Sequence, residues 1–276
     1  MSLSEILKIL FLGLVEGVTE WLPISSTGHM LLVDEFLKFD ASKSFKEMFF
    51  VVIQLGAILA VVVLFWKKMW PLRLEKGKGL RLKKDTLSIW GKVIVACIPG
   101  ALAAVLLDQW VEAYLKGPVV IAMALIFYGV AFLLIEHRNK TVRPRIKTLE
   151  EITYPVALQI GLFQVLSIIP GTSRSGATIV GALLIGVSRV AAAEFTFFLA
   201  VPVMFGLSFL KLLKFGFHFS GSELWILLLG MVSAFLVSLA VIRFLMSYIR
   251  KHDFKVFGVY RIVLGCLILL YFLVIK

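Results

Sequence analysis

A chain of 276 residues that is 60% hydrophobic and only 17% charged has too little polar surface for a water-soluble globule and reads as an integral membrane protein. Its net charge of +12 would suit nucleic acid, but the lysines and arginines fall between apolar runs rather than on one soluble face, so no nucleic acid is expected and the charge is assigned to cytoplasmic loops. Cys97 and Cys266 lie inside apolar stretches, which implies neither a disulfide framework nor a metal cluster.

Residues 1–22 contain Glu5, Glu16 and Glu20, against a cleavable signal sequence, so the N-terminus is expected to be retained. The first apolar stretch then breaks on a polar string running from Glu16 to His29. Glu16 and Glu20 fall at i and i+4, on one helix face. Pro23 is expected to end that helix, leaving an irregular loop with the hydroxyls of Ser25, Ser26 and Thr27 before His29 opens the next one. Two acids at bilayer depth cost about 3 kcal/mol each when ionised, so both are expected to face water, protein or a cation. The stretch 31–39 that follows is too short to cross a bilayer and reads as half of a re-entrant hairpin.

Full-length spans are predicted at 49–66, 89–107, 119–135, 190–209, 224–242 and 256–275. The basic residues of 67–84 and 138–147 put both of those segments in the cytoplasm, and the 108–116 link falls outside. Parity then places the N-terminus outside, with the first hairpin dipping in from that side. A second interrupted region, 155–187, dips in from the cytoplasm. Residues 13–16 resemble 161–164, and Pro23 to Gly28 resembles Pro170 to Ser175 with one residue of slack. Gln54 aligns with Glu194. The expected fold is therefore all-α: a single integral membrane domain over 1–276, with six crossings and two opposed hairpins forming inverted repeats over roughly 1–110 and 150–250.

The second loop carries Gly171, Thr172, Ser173, Arg174, Ser175 and Thr178 before an apolar helix. Glycines admit close backbone approach, helix N–H groups attract an anion, and a guanidinium fork matches phosphate oxygens. The spacing Gly171-x4-Gly176-Ala177-Thr178 lacks a P-loop's lysine and preceding strand, which argues against a nucleotide. Glu16 and Glu20 are either a charge pair with Arg174 or, the preferred reading, oxygen ligands for a divalent cation, Mg²⁺ or Ca²⁺, shared with substrate phosphate. His29 is a candidate general base or nucleophile. The attacking group is left among Ser26, His29 and a metal-bound water, with Ser26 preferred and His29 as its proton acceptor.

The motifs Glu16-x3-Glu20, Pro23-x-Ser-Ser-Thr-Gly-His29 and Pro170-Gly-x-Ser-Arg-Ser-Gly-Ala-Thr178 resemble those of the BacA-type undecaprenyl-diphosphate phosphatases, and the likeness extends along the whole chain. The resemblance implies hydrolysis of undecaprenyl diphosphate to the monophosphate, recycling the lipid carrier for peptidoglycan, and a part in bacitracin resistance. It puts the acidic motif on Glu16 and Glu20, the hydroxyl and imidazole on Ser26 and His29, and the phosphate-binding arginine on Arg174. Ser25, Thr27, Gln54 and the second loop's hydroxyls and glycine are expected to contact substrate. The expected setting is the bacterial cell membrane, with the isoprenyl tail among membrane lipids and the site facing the extracytoplasmic side; a homodimer is left open. A type-2 phosphatidic acid phosphatase is excluded because Glu136 stands where the lysine before Arg143-Pro144 is needed. A lipid-carrier transporter or flippase with the same inverted repeat is the remaining alternative.

Overall fold

The computed structural model describes residues 2–37, 41–75, 79–115 and 117–275. The chain opens with α1 (Leu3–Thr19) and α2 (Ser26–Phe36), then α3 (Lys43–Val52) and α4 (Gln54–Met69). An antiparallel pair, β1 (Leu72–Glu75) and β2 (Gly79–Leu82), leads into α5 (Lys84–Tyr114) and α6 (Pro118–Arg138). The second half repeats the helical order with α7 (Tyr154–Val165), α8 (Arg174–Ile185), α9 (Arg189–Phe215), α10 (Gly221–Ile249) and α11 (Lys255–Leu270). Six segments are long and apolar enough to cross a bilayer: Lys43–Met69, Lys84–Leu107, Pro118–Arg138, Arg189–Phe215, Gly221–Ile249 and Lys255–Val274. The protein is an all-α, multi-pass membrane protein, as its composition requires.

Local sequence explains the boundaries. Ser2 with Glu5 and Ser220 with Glu223 form capping boxes at the starts of α1 and α10, each satisfying two orphan donors. Pro118 and Pro155 sit in the first turns of α6 and α7, where a missing N–H costs nothing. The first span is one unit interrupted at Ile53, the residue shared between the end of α3 and the start of α4. Four details depart from the sequence reading. Helix α1 ends at Thr19, ahead of Pro23, and α2 begins at Ser26 rather than at His29, so Ser26 and Thr27 lie in its first turn and not in the loop. The 108–116 link is mostly the end of α5, because that stretch contains neither glycine nor proline before Gly117 and Pro118. The basic segment 67–84 holds a β-pair whose register sets Leu72 against Leu82 and Arg73 against Arg81, an alternation of period two. Helix α2 ends at Phe36, and Phe39, like Lys76, Lys78 and Lys116 in the basic and linking segments, lies outside the described residues.

The two halves repeat one packing scheme. Helix α1 lies against α10 as α7 lies against α5, and α6 lies along α11. A Cβ on Gly13 would come within 2.7 Å of the Gly230 carbonyl oxygen on α10, and one on Gly161 within 2.3 Å of that of Ala96 on α5. Only glycine lets those helices approach so closely. Ser233 and Ser238 on α10 add hydrogen bonds to the carbonyls of Leu10 and Gly17. The largest apolar core surrounds α9, where the fully buried Trp21 meets Phe197 edge to face at 5.3 Å. That contact seats the α1–α2 connection on the core.

Candidate active site

Each half places a loop between two short helices, and the loops share an unusual backbone. Ser25 (φ 74°, ψ 100°) caps α2 and its hydroxyl accepts from Gly28 N, while Ser173 (φ 69°, ψ 126°) caps α8 and accepts from Gly176 N. They are the non-glycine residues with positive φ among the described residues, a conformation costing about 1–3 kcal/mol each. Aligning the two caps brings residues 13–28 into register with 161–176 without a gap. Pro23 then stands against Gly171, so the one-residue slack of the sequence alignment came from matching two prolines that are not equivalent. In this register Glu16 faces Gln164, and Ser26 faces Arg174.

The two loops meet at Glu20. Ser26 Oγ donates to Glu20 Oε2 at 2.9 Å, and Arg174 Nη2 donates to Glu20 Oε1 at 3.1 Å. Both side chains of the ion pair are only 9% exposed, so removing either partner alone costs about 3–5 kcal/mol. Arg174 is steadied further by Nη1 donating to the Thr196 carbonyl on α9, while its buried Nε has no partner. Ser175 Oγ donates to the Glu20 carbonyl at 3.3 Å and contacts Ser173 Oγ at 3.1 Å. Thr178 turns to Thr196 and to the carbonyls of Arg174 and Ser175, and Thr172 is buried.

Glu16 lies beside Glu20, is 1% exposed, and its Oε1 is buried without a hydrogen-bond partner. It borders a cavity of about 340 Å³ whose polar lining is Glu16, Ser26, Thr27, Asp34 and Gln54 and whose apolar lining includes Met30, Leu31, Phe50, Val51 and Ile121. Among the described residues no cluster of three or more acidic, histidine or cysteine side chains could hold a metal by itself. Between the two readings left open for the acids, Glu20 makes the charge pair and Glu16 keeps a carboxylate oxygen unclaimed. Glu194, a possible rival partner for Arg174, is held by Lys68 at 2.8 Å instead.

His29 is placed differently from the sequence reading. Its Nδ1 lies 2.7 Å from the Ser25 carbonyl and its Nε2 2.7 Å from the Tyr260 hydroxyl, so it orients the cap of α2 and does not contact Ser26. Residues missed by the sequence reading are Thr196, Asp34, Tyr260 and Arg261. Arg261 is 0% exposed, with Nη1 donating to the Pro23 carbonyl and Nη2 to the carbonyls of Gly171 and Thr172. An arginine inside the 256–275 apolar run was the available signal.

The family model described as Bacitracin resistance protein BacA matches residues 9–267. The chain belongs to the BacA family. Its relatives in that family include a protein named undecaprenyl-diphosphatase from Enterococcus faecalis, 66% identical over 270 residues and covering 98% of both chains. Another of that name, from Lachnoclostridium phytofermentans, is 59% identical over 276 residues and the full length of both. One from Streptococcus thermophilus is 56% identical over 270 residues, covering 97% of this chain and 93% of its own. In this BacA-family chain the residues joined by direct contact are Glu20, Ser26 and Arg174, with Glu16 adjoining them and His29 one carbonyl away.

Proposed function

We infer that this BacA-family protein hydrolyses undecaprenyl diphosphate to undecaprenyl phosphate and inorganic phosphate in the bacterial cell membrane. The observation that carries the chemistry is Glu20 bridging Ser26 and Arg174. Ser26 Oγ attacks the terminal phosphorus as Glu20 Oε2 takes its proton, the bond to the bridging oxygen breaks, and undecaprenyl phosphate leaves. Water then attacks the phosphorus on Ser26, the P–Oγ bond breaks as Glu20 returns its proton to Oγ, and inorganic phosphate leaves with the water's oxygen and its protons. Glu20 rather than His29 is the proton acceptor, because Glu20 is the group Ser26 touches. Arg174, with its Nε free, offsets charge on the transferring phosphoryl group, and electrostatic stabilisation of that kind usually lowers the barrier to such a reaction more than any other effect. The polar part of the cavity suits the diphosphate, and the side chains of Phe50, Val51 and Ile121 suit the first units of the tail.

Glu16 fits a divalent cation held by one or two carboxylates and substrate phosphate, since its Oε1 lacks a partner and Glu20 lies alongside. When bound, Mg²⁺ or Ca²⁺ supplies electrostatic stabilisation of the phosphoryl oxygens.

The two loop-bearing helix pairs are proposed as re-entrant hairpins dipping in from opposite faces, with the site open to the extracytoplasmic side. The packing of α1 on α10 and of α7 on α5, and the basic residues after α4 and α6, support this inverted repeat. Single cysteines at Ser2 and Arg73, in a background lacking Cys97 and Cys266, test it in intact cells. The first is expected to react with an impermeant thiol reagent and the second not; labelling of the second overturns the sidedness. The activity itself is tested on purified protein in detergent with undecaprenyl diphosphate as substrate. Release of inorganic phosphate is expected, whereas a transporter or flippase releases none.

A further inference from the structure

The acids and Ser26 belong to one loop-bearing helix pair, and Arg174 belongs to the other. The reaction proposed above needs both in one fixed geometry, so the device that sets the distance between the loops controls the rate. Helix α11 supplies it. From a fully buried position, Arg261 spreads its guanidinium between the loops, with Nη1 on the Pro23 carbonyl at 3.2 Å and Nη2 on those of Gly171 at 2.9 Å and Thr172 at 2.7 Å. Tyr128 on α6 lies 5.5 Å from the guanidinium carbon, and no acidic partner for Arg261 occurs among the described residues. A cation placed within a membrane span without a counter-ion is costly and is kept where its position matters. Its partners are backbone oxygens of the two loops, which only a planar fork can reach together.

The surroundings are cut to fit this side chain. A Cβ on Gly176, in the first turn of α8, would lie 2.8 Å from Arg261 Nη1, the atom that holds the first loop. Among the described residues the repeat offers no second clasp. Helices α6 and α11 cross where Gly129 and Gly258 meet each other's carbonyls, and three residues beyond that crossing stand Phe132 on α6 and Arg261 on α11. Phe132 is buried and packs on Phe254 at 5.7 Å.

We propose that Arg261 is a positioning residue that fixes the two active-site loops relative to each other, and that position 176 is glycine to admit it. The proposal rests on the reading of Ser26 and Arg174 as the reacting and phosphate-binding groups. Each loop keeps its own side chains without the clasp, so substrate still binds through Arg174 while Ser26 is misaligned. The loss therefore falls on kcat rather than KM.

Steady-state phosphate release from undecaprenyl diphosphate is to be measured for the wild type, Gly176→Ala, Arg261→Lys, Arg261→Met and the Gly176→Ala/Arg261→Met double variant, each checked for monodispersity in detergent. Arg261→Met is expected to lose about a hundredfold in kcat, as a misplacement of about 1 Å does, with KM within about threefold. Arg261→Lys keeps the charge but not the fork and falls with it. Gly176→Ala pushes Nη1 off Pro23 and is expected to lose about tenfold, but to cost nothing further once Arg261 is already methionine. Wild-type kcat in Arg261→Met, a loss confined to KM, or additive losses in the double variant overturns the proposal. If Arg261→Met does not accumulate as a monodisperse protein, unchanged kcat in Gly176→Ala overturns it alone. A wild-type protein that releases no phosphate contradicts the assigned activity instead, which keeps the two failures distinct.

Discussion

The loop after α1 and the loop after the α7 half share a serine cap at positive φ and a glycine three residues on, yet the residue after the cap is Ser26 in one and Arg174 in the other. Glu16 in the first half is likewise Gln164 in the second. One scaffold thus presents acid and hydroxyl from one side and a guanidinium from the other, joined through Glu20. Two copies of one backbone can carry complementary chemistry because the cap and glycine define the turn, leaving the first helical side chain free to vary.

The largest loss is expected at Ser26, the proposed nucleophile. Ser26→Ala is expected to lose at least about a thousandfold in kcat, since an attacking group is worth far more than one hydrogen bond. Rapid quenching of the wild type with labelled substrate is expected to trap acid-stable phosphoserine. More than about 1% residual turnover in Ser26→Ala, or an acid-labile phosphohistidine, moves the attack elsewhere.

On the other loop, Arg174→Ala leaves Glu20 buried without its counter-ion and is expected to cost about a thousandfold. Arg174→Lys should do nearly as badly. An ammonium replaces the charge but cannot reach Glu20, the Thr196 carbonyl and phosphate together. Near-normal turnover of the lysine variant would show that charge alone suffices.

Making the halves alike at their inner position, by Glu16→Gln, removes the unclaimed carboxylate oxygen while keeping the shape. About a hundredfold loss of activity is expected, together with loss of the response to added Mg²⁺ or Ca²⁺. Wild-type protein in excess EDTA should fall comparably. Full turnover there removes the metal and leaves Glu16 to orient Glu20.

The smallest effects test the shared backbone. Ser25→Ala and Ser173→Ala lose a cap while retaining positive φ and should each lower stability by about 1–2 kcal/mol. The glycine variants lose the cap but relieve the strain and should lie within a few tenths of a kcal/mol of wild type. Thermal unfolding in detergent should show the alanine midpoints about 2–4 °C below the glycine ones; coincident midpoints would mean that the positive φ stores no strain.

Hydrophobic run lengths were enough to find the six crossings, because a bilayer of fixed thickness demands about 20 apolar residues per helix. Charges inside those runs exposed Glu16, Glu20 and Arg174, since an intramembrane ion is too costly to keep without a purpose. What sequence could not decide was which ions meet. Glu20 rather than Glu194 holds Arg174, His29 turns to Tyr260 rather than Ser26, and Arg261 reaches back from the last span to both loops. Those partners lie between 90 and 238 residues apart in sequence, so local periodicity carries no record of them. They are chosen by helix packing, which glycines such as Gly13 and Gly161 permit and which only the folded chain displays.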